Sequence, residues 1–145
     1  DVNIVNCPAI AKELGLELIE STINATTEYS ELIVVELNKG GEKFRLAGSS
    51  IGKSPRIVEI NKLYVETNIE ANFLIVKNDD RPGIVGLIGT SLAEHKLNIA
   101  NLSLARNKSE GNALTVIELD SPATQEIIDT LGAAAGVISV KALEI

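Results

Sequence analysis

The stretch N-D-D-R-P-G-I-V, residues 78–85, ends an apolar run with two carboxylates, a guanidinium, a proline and a glycine, just where helical spacing begins. Asp80 stands ahead of the first helical turn, where a carboxylate can accept from unpaired backbone amides. Pro82 presets helical φ and has no N–H to lose. Gly83 removes a side chain where the first-turn amides emerge. One reading is a well-capped helix and nothing more. The other is a binding seat: the amides of Gly83, Ile84 and Val85, at the positive end of the helix, suit a small carboxylate, and Asp80 beside them offers an acceptor for an ammonium group. Together they describe the two ends of an amino acid.

A second polar residue, Asn98 in L-N-I-A, opens the strand after that helix. A helix of about 14 residues is about 20 Å long, so Asp80 and Asn98 fall at its opposite ends. A small ligand touching both requires two chains packed antiparallel, with two equivalent sites across a twofold interface. Ligand binding would then bridge subunits, a physical basis for control by a small metabolite.

Other chemistries find less. G-S-S-I-G-K-S, residues 48–54, has three residues between its glycines where a phosphate-binding loop needs four, and Pro55 with the β run R-I-V-E-I follows where a helix should begin. It reads as a strand connection whose glycines permit positive φ, although Lys53 and Arg56 could hold a small anion near backbone amides. The single histidine, His95, lies in E-H-K at a helix C-terminus and reads as a cap rather than a base. No carboxylate pair sits in a motif that fixes its separation. No catalytic residue and no metal cluster of recognisable spacing is expected. Cys7, the one cysteine, has no internal partner, reads as a packed inert thiol and fits a reducing cytoplasm.

Charge excludes a further class. The net charge is −7, with 11 acidic and 7 basic residues over 1–70 and 9 acidic and 6 basic over 71–145. Such even acidity offers no basic surface for nucleic acid, and four aromatic residues offer little for base stacking. No apolar run approaches the roughly 20 residues of a membrane span, and neither end reads as a signal peptide, so a soluble chain is expected. A first residue of Asp rather than Met is expected of a piece of a longer protein.

These groups need elements to hold them. The spacing predicts a short helix over 7–14 stopped by Gly15, then strands over 16–21, 31–37 and 43–47 with a hairpin turn at 38–41, a loop over 48–55, and strands over 56–60 and 63–67. The pattern changes near residue 70: strand 72–77, helix 82–95, strands 98–105 and 113–119 around a polar turn at 107–111, helix 122–134, strand 137–145. The order βαββαβ predicts an antiparallel sheet with both helices on one face, the ferredoxin-like arrangement, preceded by a mostly antiparallel β-rich part; the class is α+β.

Residues 78–100 within that βαββαβ order resemble an ACT domain, a regulatory module that binds amino acids at subunit interfaces. V-N-I-V-N-C-P-A-I-A-K-E-L-G-L at 2–16 and G-S-S-I-G-K-S-P-R-I-V-E-I-N at 48–61 resemble the intervening domain of long-form D-3-phosphoglycerate dehydrogenases. The resemblance implies two domains, the C-terminal part of an intervening domain over 1–69 and an ACT domain over 70–145. It also implies a regulatory tail joined to the rest of a dehydrogenase, whose nicotinamide chemistry (NAD) lies elsewhere, so this chain holds no cofactor. The implied partners are L-serine, the pathway product and feedback inhibitor, and a second copy meeting through the ACT domain.

By position, Asn78, Asp80 and Asn98 fall among the family's effector-contacting side chains, and Gly83, Ile84 and Val85 among its backbone donors. Asn78 stands where other members often carry a ring. Lys96 stands where many have glycine. Arg56 matches a basic residue that holds a phosphorylated acid in some members, whereas Asn68 and Glu118 fall where basic partners are expected. Two alternatives remain: the related module of iron–sulfur L-serine dehydratases, and a dimerisation module that binds no ligand.

Overall fold

The computed structural model describes residues 2–23 and 28–144. Helix α1, Cys7–Glu13, is followed by four strands, β1 (Leu32–Lys39), β2 (Glu42–Ile51), β3 (Ser54–Ile60) and β4 (Leu63–Asn68). They form one antiparallel sheet in the order β1-β2-β3-β4. The second half runs β5 (Asn72–Asp79), α2 (Ile84–Glu94), β6 (Ile99–Asn107), β7 (Asn112–Leu119), α3 (Gln125–Gly132) and β8 (Val137–Glu144). Its sheet is also antiparallel, in the order β6-β7-β5-β8. The chain is thus α+β, with two four-stranded antiparallel sheets and three helices among the described residues.

Side chains of a strand alternate between faces, and in β5 and β7 both faces are covered. Leu74, Val76, Ile117 and Leu119 pack with Ile84, Ile88 and Leu92 of α2 and Ile127 and Leu131 of α3. From the other face Phe73 and Val116, with Ala105 of β6, meet Ile60 of β3 and Val65 of β4. Double burial explains why β7 reads N-A-L-T-V-I-E-L with little alternation, as a strand covered on both sides does.

The hairpin turns are tight. Lys39 pairs with Glu42 across Gly40-Gly41, both at positive φ, the backbone a two-residue turn requires. Asn61 and Lys62 make the same kind of turn between β3 and β4 without glycine, at φ 51 and 66. The Asn61 side chain assists by accepting from the Arg45 amide at 2.8 Å.

Several expectations need correction. Residues 16–21 form no strand: Leu16, Leu18 and Ile19 are exposed, and apolar alternation makes a strand only where an edge is available to pair with. The loop expected at 48–55 is almost entirely ladder, since β2 runs to Ile51 and β3 starts at Ser54. Of the two glycines there only Gly52 is at positive φ, and a Cβ built on Gly48 would lie 3.3 Å from the Arg56 carbonyl oxygen. Helix α2 starts at Ile84, because Gly83 at φ 96 is left-handed and Pro82 belongs to the preceding turn. The last strand ends at Glu144; Ile145, expected within it, lies outside the described residues.

Candidate functional site

The segment after β5 is pinned from two sides. The Asp79 amide donates to the Gly136 carbonyl at 2.8 Å and the Asp80 amide to the Gly111 carbonyl at 3.0 Å. Arg81 Nη2 donates to the Ala135 carbonyl at 2.6 Å. Residues 79–81 are therefore tied to both the β6–β7 turn and the α3–β8 loop. Gly83 sits above them in open space: a Cβ built there meets nothing within 4 Å. Val85 is exposed and Ile84 is buried under the helix, leaving the start of α2 accessible from one side.

Asp80 does not cap the helix. No side chain caps α2, and the Asp80 carboxylate instead faces Arg106, whose Nε lies 2.9 Å from Oδ1 and 2.7 Å from Oδ2. The capping expectation fails because β6 continues along the ladder beyond the end of its apolar pattern. Arg106 pairs with Ala113 and so reaches the level of Asp80.

Asn78 is buried behind this loop. Its side-chain nitrogen donates to the Asp79 carbonyl at 2.7 Å and its oxygen accepts from Thr115 Oγ1 at 3.3 Å. It shapes the loop from beneath. Asn98 lies elsewhere: its side-chain nitrogen donates to Asp120 Oδ2 at 2.6 Å, and its carbonyl accepts from the Asp120 amide. Asp80 is bound at Gly111 and Asn98 at Asp120, so the 8-residue β7 lies between them, roughly 27 Å at about 3.4 Å per residue. The structure brings Asp80, Gly83, Ile84 and Val85 to one end of the sheet and places Asn98 at the other.

Lys53 is exposed in the β2–β3 turn, whereas Arg56, on β3, donates from Nη1 to Asn68 Oδ1. Asn68 in turn leads to Glu118. The two positions that were expected to be basic form instead a satisfied polar cluster: Glu118 accepts from Thr67 Oγ1 at 2.6 Å, the Asn68 amide at 2.8 Å, Asn68 Nδ2 at 2.5 Å and Asn101 Nδ2 at 3.1 Å. Burial pushes the Glu118 carboxyl up, but these donors together outweigh it and hold it below its ordinary value.

His95 Nδ1 lies 2.8 Å from the Ser91 carbonyl in the last turn of α2, the geometry of a helix cap. Cys7 is half-buried at the first residue of α1, its thiol 3.7 Å from the Ile4 carbonyl. Among the described residues no three His, Cys, Asp or Glu side chains converge as a metal site, and no helix is long and apolar enough to cross a membrane. Sequence reasoning missed Arg106 altogether. Its only signal is its place beside the polar turn, which has meaning once the β6–β7 register is known.

Comparison with known proteins agrees with the resemblance to D-3-phosphoglycerate dehydrogenases. The D-3-phosphoglycerate dehydrogenase intervening domain matches residues 1–61. The D-3-phosphoglycerate dehydrogenase of Archaeoglobus fulgidus is 27% identical over 100% of this chain and 28% of its own length. That of Bacillus subtilis is 26% identical over 99% and 28%. The L-serine dehydratase beta chain of Peptoniphilus asaccharolyticus is 26% identical over 81% of this chain and 54% of its own length. The chain thus spans about a quarter of the length of the dehydrogenases it matches. Along its whole length it is similar to D-3-phosphoglycerate dehydrogenases, carries the match to their intervening domain, and fits the C-terminal regulatory region of that enzyme.

Proposed function

We propose that this chain is a feedback sensor for L-serine, the end product of the pathway that D-3-phosphoglycerate dehydrogenase opens. In this reading residues 1–69 are the C-terminal part of the intervening domain, and residues 70–145 are a ferredoxin-like ACT domain. Two copies meet through the ACT domains, in a cytoplasmic parent enzyme that uses NAD. The ligand ammonium goes to Asp80 and its carboxylate to the amides of Gly83, Ile84 and Val85, while Asn98 of the second copy closes the site.

The separation of Asp80 from Asn98 by the length of β7 carries this reading. If both contribute, the site is complete only between copies, and ligand occupancy is coupled to how the copies pack. The open space at Gly83 supports access for a small ligand.

Calorimetric titration of L-serine, with glycine and D-serine as controls, tests it on a sample whose mass is known from light scattering. Stereoselective binding at up to two sites per dimer is expected, and Asp80→Ala should weaken it by about 1.5–3 kcal/mol, the range for hydrogen bonds to charged groups. A folded dimer that gives no heat would favour an assembly module without ligand. The match to an L-serine dehydratase beta chain supports a second reading, the regulatory module of that enzyme. The sequence upstream of this chain separates the two: a dinucleotide-binding fingerprint points to the dehydrogenase, cluster cysteines to the dehydratase.

A further inference from the structure

We infer that Arg106 is a built-in competitor at the Asp80 site, holding the carboxylate until the ammonium group of an amino acid replaces it. The inference rests on the reading of Asp80 as the ammonium acceptor. A single N–H of Arg106 engages both Asp80 oxygens, at 2.9 and 2.7 Å. These are the oxygens a ligand ammonium would need.

The two partners differ in freedom. Asp80 is four-fifths covered, its amide is held by the Gly111 carbonyl and that of the preceding Asp79 by the Gly136 carbonyl, so the carboxylate has little room to move. The Arg106 side chain is 57% exposed and can swing into water at small cost. A fixed acceptor with a displaceable donor is an exchange site. A compact ammonium with three donors can take the position of a guanidinium that uses one. A carboxylic acid without an amino group offers nothing to exchange and leaves the pair closed. Arg106 thereby lowers affinity for every ligand while favouring those that carry an ammonium.

The test is calorimetric titration of L-serine into the wild-type chain, Arg106→Gln and Arg106→Lys, with thermal melts confirming that all three fold. Removing an exposed competing ion pair should tighten binding about two- to five-fold in Arg106→Gln. Arg106→Lys, which keeps a cation, should stay closer to wild type. Binding to Arg106→Gln equal to or weaker than wild type overturns the competitor role and leaves the Asp80 site standing. If neither wild type nor Arg106→Gln binds, the Asp80 site fails and the inference fails with it.

Discussion

Asn68 and Glu118, fifty residues apart, join the two sheets: the Asn68 side chain donates to Glu118 Oε2 at 2.5 Å and its amide donates to Oε1 at 2.8 Å. Thr67 of β4 and Asn101 of β6 donate to the same carboxylate, which is 4% exposed. Glu118→Gln keeps the shape but replaces an acceptor oxygen with a donor among donors. It should destabilise the chain by about 1–3 kcal/mol, the range for leaving buried polar groups unsatisfied. Urea denaturation would show a lower midpoint at unchanged slope; an unmoved midpoint would mean that water satisfies these donors at no cost.

Acid should act through the same group. Its folded value lies below the ordinary 4.5, so the unfolded chain takes the proton more readily. The contribution is therefore complete above the ordinary carboxylate range and is lost as pH falls through the folded value beneath it. Wild-type stability should fall more steeply below about pH 4.5 than that of Glu118→Gln. Glu110, lowered first by the Asn112 hydrogen bond and then by attraction to Lys77, adds a slope of the same sign, and salt should weaken its Lys77 part because that pair faces solvent. Denaturant midpoints against pH at two salt concentrations would separate them, and parallel curves for wild type and variant would refute the assignment to Glu118.

Gly136 is required twice over. Its φ is 88, and an added Cβ would lie 2.6 Å from Arg81 Nε and 2.8 Å from Cζ. Gly136→Ala should cost about 1–2 kcal/mol from left-handed strain alone and should also push Arg81 off the Ala135 carbonyl. Adding Arg81→Ala should relieve the steric part only. A thermal-melt cycle of the two variants measures the split, and strict additivity would show that the guanidinium moves aside freely.

Lys96 closes α2 at φ 58, with the Leu97 amide bonding the Leu92 carbonyl and the Lys96 amide that of Ala93. This is the Schellman geometry, which glycine adopts without a Cβ penalty. Lys96→Gly should stabilise by about 0.5–1 kcal/mol, read as a rise in melting temperature. A fall would mean that the lysine stem contributes packing at the helix end.

Order and type of the second-half elements were legible because each buries a distinct face: α2 repeats its apolar residues at helical spacing, the 107–111 turn separates β6 from β7, and Gly136 separates α3 from β8. The start of the chain was less so. Residues 16–21 carry a strand-like pattern, yet pairing depends on an edge that no local pattern reports. The glycine-rich 48–54 looked like a loop and is mostly strand, because cross-strand hydrogen bonds to β1 and β3 outweigh the weak strand preference of Gly and Ser.

The candidate site divides the same way. Local sequence determined that a proline–glycine turn with a carboxylate would precede a helix, and that Asp80 and Asn98 would lie far apart, since chain geometry between two near neighbours in sequence leaves little choice. Only the tertiary structure decided what those groups touch. Asp80 meets Arg106 instead of helix amides, and Glu118 meets Thr67 and Asn68 across fifty residues of chain, because strand register sets side-chain partners and register is fixed by the whole buried face rather than by any segment.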